Sequence, residues 1–239
     1  MAEDNQEPTE GDDERLQLQD IFSFEELNQR VPWDLPGHIR TVYQPFRCRN
    51  GVLPAVSSDG KIRAQLKKTL MAWNADLGAR DKMDWEGFFE GMEEILTPLA
   101  RLPRLGLLDG EQLKAVALAV WQLEQFKHTK SGKLVFGSKA AHFVFPWLVP
   151  IVSSDVVRGI EDFRRHSTAI DDIFGRKNTM KFGSDPEKNL RAYFEYLDFG
   201  NHMLETFDCQ IFLGSKVRVD FGLDAKMYEW LWVSLDPGS

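Results

Sequence analysis

Two cysteines in 239 residues, Cys48 and Cys209, are too few to staple a chain of this size, and they fit no metal-ligand spacing. They read as free thiols of a protein kept in a reducing, cytoplasmic compartment. Long apolar runs are missing too. The longest, Phe143 to Val152, carries two prolines and falls well short of the ~20 residues that a bilayer demands. The chain opens Met1-Ala2-Glu3-Asp4, acidic and polar, without the apolar segment of a secretory signal. Phosphate-cradling glycine loops, a His-Glu-x-x-His pair and a Cys-x-x-Cys pair are all absent, so no cofactor and no metal is expected. No strand–helix alternation of the kind a doubly wound nucleotide-binding sheet requires can be found. No internal repeat or low-complexity tract is visible either.

Apolar residues are present in quantity. They make up 43% of the chain, with 17 Phe and 7 Trp, enough for a well-packed core. Charge is unevenly placed. The net −8 conceals a tail, residues 1–26, with ten acids against one arginine; the rest holds 27 acids against 28 basic residues. Residues 1–20 have too few apolar side chains to offset the entropy of ordering, which predicts a disordered acidic tail ahead of one domain over 21–239.

Periodicity within that domain is helical. Ser23, followed by Glu25 and Glu26, opens a short helical turn through Arg30. Pro32, Pro36 and Pro45 then keep residues 31–60 mostly irregular. Ile62, Leu66, Leu70 and Trp73 recur at helical spacing after the Asp59-Gly60 turn, giving a helix to Asp76. Asp84 caps a second helix to Leu99 with Pro98 in its last turn, and Asp109-Gly110 opens a third. Phe126 to Gly137 reads as a loop or tight hairpin, with a fourth helix from Ser138 to just before Pro146. Ser154-Asp155 cap a fifth, running to about Phe174. Asp185, Pro186 and Glu187 start a sixth that passes Phe199. Gln210 to Val219 offers a small hairpin with helix as its rival, and Asp224 to Ser234 a short aromatic helix with Tyr228, Trp230 and Trp232. The class is therefore mainly α, a single helical globular domain with at most one small β-hairpin.

No carboxylate pair has the spacing of an acid/base couple, and the five histidines are scattered. Basic residues carry the clearest pattern. From Arg40 to Lys82 there are nine Lys/Arg against three acids, and Lys127, Lys130, Lys133 and Lys139 follow one another with no acid between them. On a shared face these would gather phosphate backbones, with Arg63, Lys67, Lys68, Lys130 and Lys133 as the contacts. The acidic tail is placed to lie over such a face and compete with a polyanion.

The stretch Phe136-Gly137-Ser138-Lys139-Ala140-Ala141-His142-Phe143, followed by the apolar segment, Pro150-Ile151-Val152 and Asp155, resembles the second half of the helix–hairpin–helix DNA glycosylases. The likeness spans residues 133–158, and Ser138 stands where that family has a second glycine. It implies that Gly137 holds a DNA phosphate, that Lys139 is the amine nucleophile, and that Asp155 activates it. An extruded base would need an aromatic pocket, for which His142, Phe145 and Trp147 are candidates. The expectation is a helical protein associated with DNA or RNA, of glycosylase-like fold with or without base excision, so that enzymatic activity stays open. The alternative is a non-enzymatic module that binds a protein through its aromatic C-terminus. No membrane partner is expected.

Overall fold

Asp59 accepts hydrogen bonds from the amides of Lys61 (2.8 Å) and Ile62 (3.3 Å), and at this cap helix α1, Gly60–Ala72, begins. The structure is a computed structural model that describes residues 43–56, 58–73, 75, 83–128, 133–166 and 180–206. Among them lie six α-helices and one 3-10 turn, so the chain is mainly α. The acidic tail, the turn over residues 23–30, Lys130, the hairpin at 210–219 and the helix at 224–234 fall outside the described residues.

The capping residues read from the sequence act as caps. Asp84 accepts from the Gly87 amide at the start of α2, Trp85–Leu96, and Pro98 sits in the 3-10 turn Thr97–Leu99 that follows. Asp109 and Gln112 form a reciprocal capping box at the head of α3, Gly110–Glu124. Asp185 accepts from the amides of Glu187 and Lys188 at the head of α6, Pro186–Thr206. Three boundaries differ. Helix α1 stops at Ala72, where the Trp73 amide closes back on Thr69. Helix α5, Ser154–His166, is capped by Ser153, whose hydroxyl accepts from the Val156 amide, one residue earlier than its sequence suggests.

The third difference matters most. Helix α4 runs Val135–Val144, so Gly137 is its third residue and not the tip of a turn. Leu134, left-handed at φ 59°, makes the entry instead and is almost fully buried. Gly137 belongs in the helix because α4 and α3 touch there: a Cβ at position 137 would lie 2.0 Å from the Val120 carbonyl oxygen. Helix α3 is the centre of the molecule, packing on α4, α6 and α2, and α1 meets α4. The core gathers Phe88, Phe136, Phe143, Val116, Val120, Tyr193 and Tyr196 among others, all wholly buried. No helix among the described residues is long and apolar enough to cross a membrane.

Candidate nucleic-acid interface

Gly137 and Glu124 settle what the head of α4 binds. The first amides of a helix are unpaired and attract an anion. Here the anion is internal: the Glu124 carboxylate, from the last turn of α3, accepts from the Gly137 amide at 2.8 Å. Burial, opposed by the bonds from Gly137 and Phe136 and by Lys127, raises this carboxyl to about 7. Lys127 lies 3.8 Å from Oε1, both side chains 5% exposed, too far for a hydrogen bond and close enough for an ion pair. The amide that the glycosylase resemblance would give to a phosphate therefore already holds a carboxylate.

Other residues from that stretch also have defined places. Lys139 donates its ammonium to the Trp73 carbonyl at 2.5 Å, and Asp155 pairs with Arg158 at 2.6 Å on the surface of α5. His142 is fully buried. Its Nδ1 meets the Val149 carbonyl at 2.5 Å, an acceptor only, so Nδ1 carries the proton and Nε2 accepts from the Tyr43 hydroxyl at 3.0 Å. Phe145 is fully buried too. These two belong to the interior, and Trp147, the third candidate for an aromatic pocket, is partly exposed. Among the described residues no group of three or more His, Cys, Asp or Glu side chains is placed to hold a metal.

On α1, Arg63 donates to the Val56 carbonyl and lies over the Phe89 ring at 5.7 Å, while Lys67 sits over Trp85 at 5.0 Å. Trp85 in turn meets Phe136 edge-on at 5.9 Å, which brings Lys67 within two ring contacts of the head of α4. Lys68 and Lys133 are exposed.

A second basic cluster, only half visible in the sequence, forms where three loops meet. Residues 43–56, 97–108 and 145–153 contain no Asp or Glu but hold Arg47, Arg49, Arg101 and Arg104. The Arg47 guanidinium lies over the Trp147 ring at 5.1 Å, and burial, then the like charge of Arg49, holds its pKa below the usual value. Arg49 heads a tight turn: it exchanges two backbone bonds with Val52 (3.0 and 2.9 Å), with Asn50 and Gly51 both at positive φ. That turn rests on Ala100 and Arg101. Arg49, Arg101 and Arg104 are all exposed.

Loops need partners for their backbone groups, and side chains of α4 and α6 supply them. Asn201 accepts from the amides of Gly106 (2.8 Å) and Leu108 (3.0 Å) and donates to the Leu108 carbonyl. Tyr193 and Tyr196 donate to the carbonyls of Pro150 and Ile151, and the Ser138 hydroxyl accepts from the Val152 amide. The Cys48 N–H donates to the Val144 carbonyl at the end of α4, and the Leu105 N–H ties the second loop to the third at the Trp147 carbonyl. Arg47 thus stacks on an indole, and the exposed Arg49, Arg101 and Arg104 stand on the neighbouring loops, none of which carries an acid.

A different kind of surface lies between α3 and α6. It is an open groove of about 390 Å³ with an apolar floor from Ala117, Leu118, Leu190 and Phe194 and a rim that includes Lys114 and Arg191. No family model matches the chain, and neither a curated protein nor a solved structure is found to be similar to it.

Proposed function

We propose that this protein binds nucleic acid through its phosphate backbone, using Arg47, Arg49 and Arg101 as the contacts around Trp147. The observation that carries this reading is the meeting of three acid-free loops at one indole, held by buried side chains of α4 and α6. Rigid placement keeps the ordering cost of binding low. No catalytic step is assigned. The Lys139 amine and the Asp155 carboxylate each have a protein partner, and the Gly137 amide is closed by Glu124.

Binding to a labelled oligonucleotide, measured against salt, tests the reading. Three phosphate contacts predict a log–log slope of about −2.7 on duplex DNA, a loss of roughly 40-fold in affinity between 50 and 200 mM salt. Arg49→Ala combined with Arg101→Ala should reduce that loss to about fourfold. Salt-independent binding, or a slope that ignores the double substitution, defeats the proposal.

The groove between α3 and α6 favours a second reading, a protein partner that docks an amphipathic helix there. Leu118→Glu separates the two within the same assay. It puts a charge on the groove floor and leaves the salt-dependent binding intact if the arginine loops are the working surface.

A further inference from the structure

The strongest charge asymmetry in the chain lies between its acidic tail and these loops. Residues 1–20 contain Glu3, Asp4, Glu7, Glu10, Asp12, Asp13, Glu14 and Asp20 against Arg15 alone, whereas the three loops contain arginines and no acid. The two are also close along the chain. The first described residue, Tyr43, is already in the loop that carries Arg47 and Arg49. From Asp13 to Arg47 is 34 residues, a stretch whose greatest possible reach is roughly 110 Å, so the acids and the arginines of one chain can meet. Being on one chain makes the encounter of acids and arginines intramolecular.

We infer that the acidic segment 1–20 docks on the Arg47–Arg49–Arg101 surface of its own chain and competes there with the phosphate backbone. The inference rests on the nucleic-acid reading above. The carboxylates take the positions of phosphates: each arginine fork donates to either anion in the same planar, bidentate way. A tail carrying many interchangeable acids needs no fixed fold to do this. It needs only charge and reach. Nucleic acid, with its denser charge, displaces the tail, and so the full chain selects for long or concentrated polyanions over stray phosphates.

The test is a cycle of four full-length proteins: the natural chain, the chain with the eight tail acids changed to their amides, Arg49→Ala with Arg101→Ala, and both sets together. Each is titrated with the same labelled oligonucleotide at several salt concentrations. Neutralising the tail should tighten binding roughly tenfold at 50 mM salt, and the gain should fade toward 500 mM as screening removes the contact. In the arginine-deficient background the gain should fall below about threefold. No gain, or an equal gain in both backgrounds, overturns the inference while leaving the nucleic-acid reading in place; equal gain would mean only that a negative tail repels polyanions at a distance. Absence of binding by all four proteins at 50 mM salt overturns that reading itself.

Discussion

Gly137→Ala tests the geometry on which the placement of α4 depends. The added methyl carbon would stand 2.0 Å from the Val120 carbonyl oxygen and 3.0 Å from the Glu124 nitrogen, both backbone atoms of α3 that no rotamer change can move. A carbon normally approaches a carbonyl oxygen no closer than about 3.3 Å, so the helices must part by roughly 1 Å. A gap of that size forfeits between about a quarter and a half of each van der Waals contact along the seam. It also stretches the 2.8 Å bond that Oε2 of the buried Glu124 accepts from the Gly137 amide. Backbone overlap and a weakened buried charge together place the cost at about 3–5 kcal/mol. For a domain of this size that is a fall in Tm on the order of 10 °C. Thermal unfolding followed by far-UV circular dichroism measures it. Gly110→Ala, at a site with nothing within 4 Å of the new carbon, is the matched control. It should be neutral or stabilising by up to about 1 kcal/mol. A Gly137→Ala protein that melts within two or three degrees of the natural one would refute the close approach of α3 and α4.

Glu124→Gln should change how stability responds to pH. Its folded carboxyl titrates at about 7 against 4.5 unfolded, chiefly because it is buried, so the stability from its bound proton is complete below pH 4.5 and lost as pH rises through 7. The natural protein should therefore lose up to about 3 kcal/mol relative to Glu124→Gln between pH 4.5 and 7.5 in urea titrations; a constant difference would show that the carboxylate stays ionised throughout. Asn201→Ala removes three buried hydrogen bonds from the 97–108 loop and leaves two amides and a carbonyl without their partner, at about 3 kcal/mol. Because that loop carries Arg101, the substitution should also weaken oligonucleotide binding; unchanged binding with lowered stability would show that the loop keeps its shape without Asn201.

Most of the helical frame was legible because its signals are local. Asp59, Asp84, Asp109 and Asp185 stand at helix heads where a side-chain oxygen meets free amides, and a single sequence displays such pairs openly. Gly137 misled for a reason equally physical. Glycine breaks helices in isolation, but it is also the only residue that lets two helix backbones touch, and nothing nearby in sequence reveals Val120 as its neighbour. The anion at the head of α4 followed the same logic: the resemblance supplied a phosphate, whereas the fold supplies Glu124 from thirteen residues upstream. Arg47 and Arg49 stood out as part of a basic run, but Arg101 and Arg104 did not, being two arginines among prolines and leucines. Their absence of acidic neighbours was the available signal. It becomes meaningful only when Asn201, Tyr193 and Tyr196 draw the separate loops to one indole, since the chance that three acid-free segments lie together cannot be read from any one of them. Local rules thus specify where helices begin; the charged surface arises from buried polar side chains whose partners lie 43 to 95 residues away.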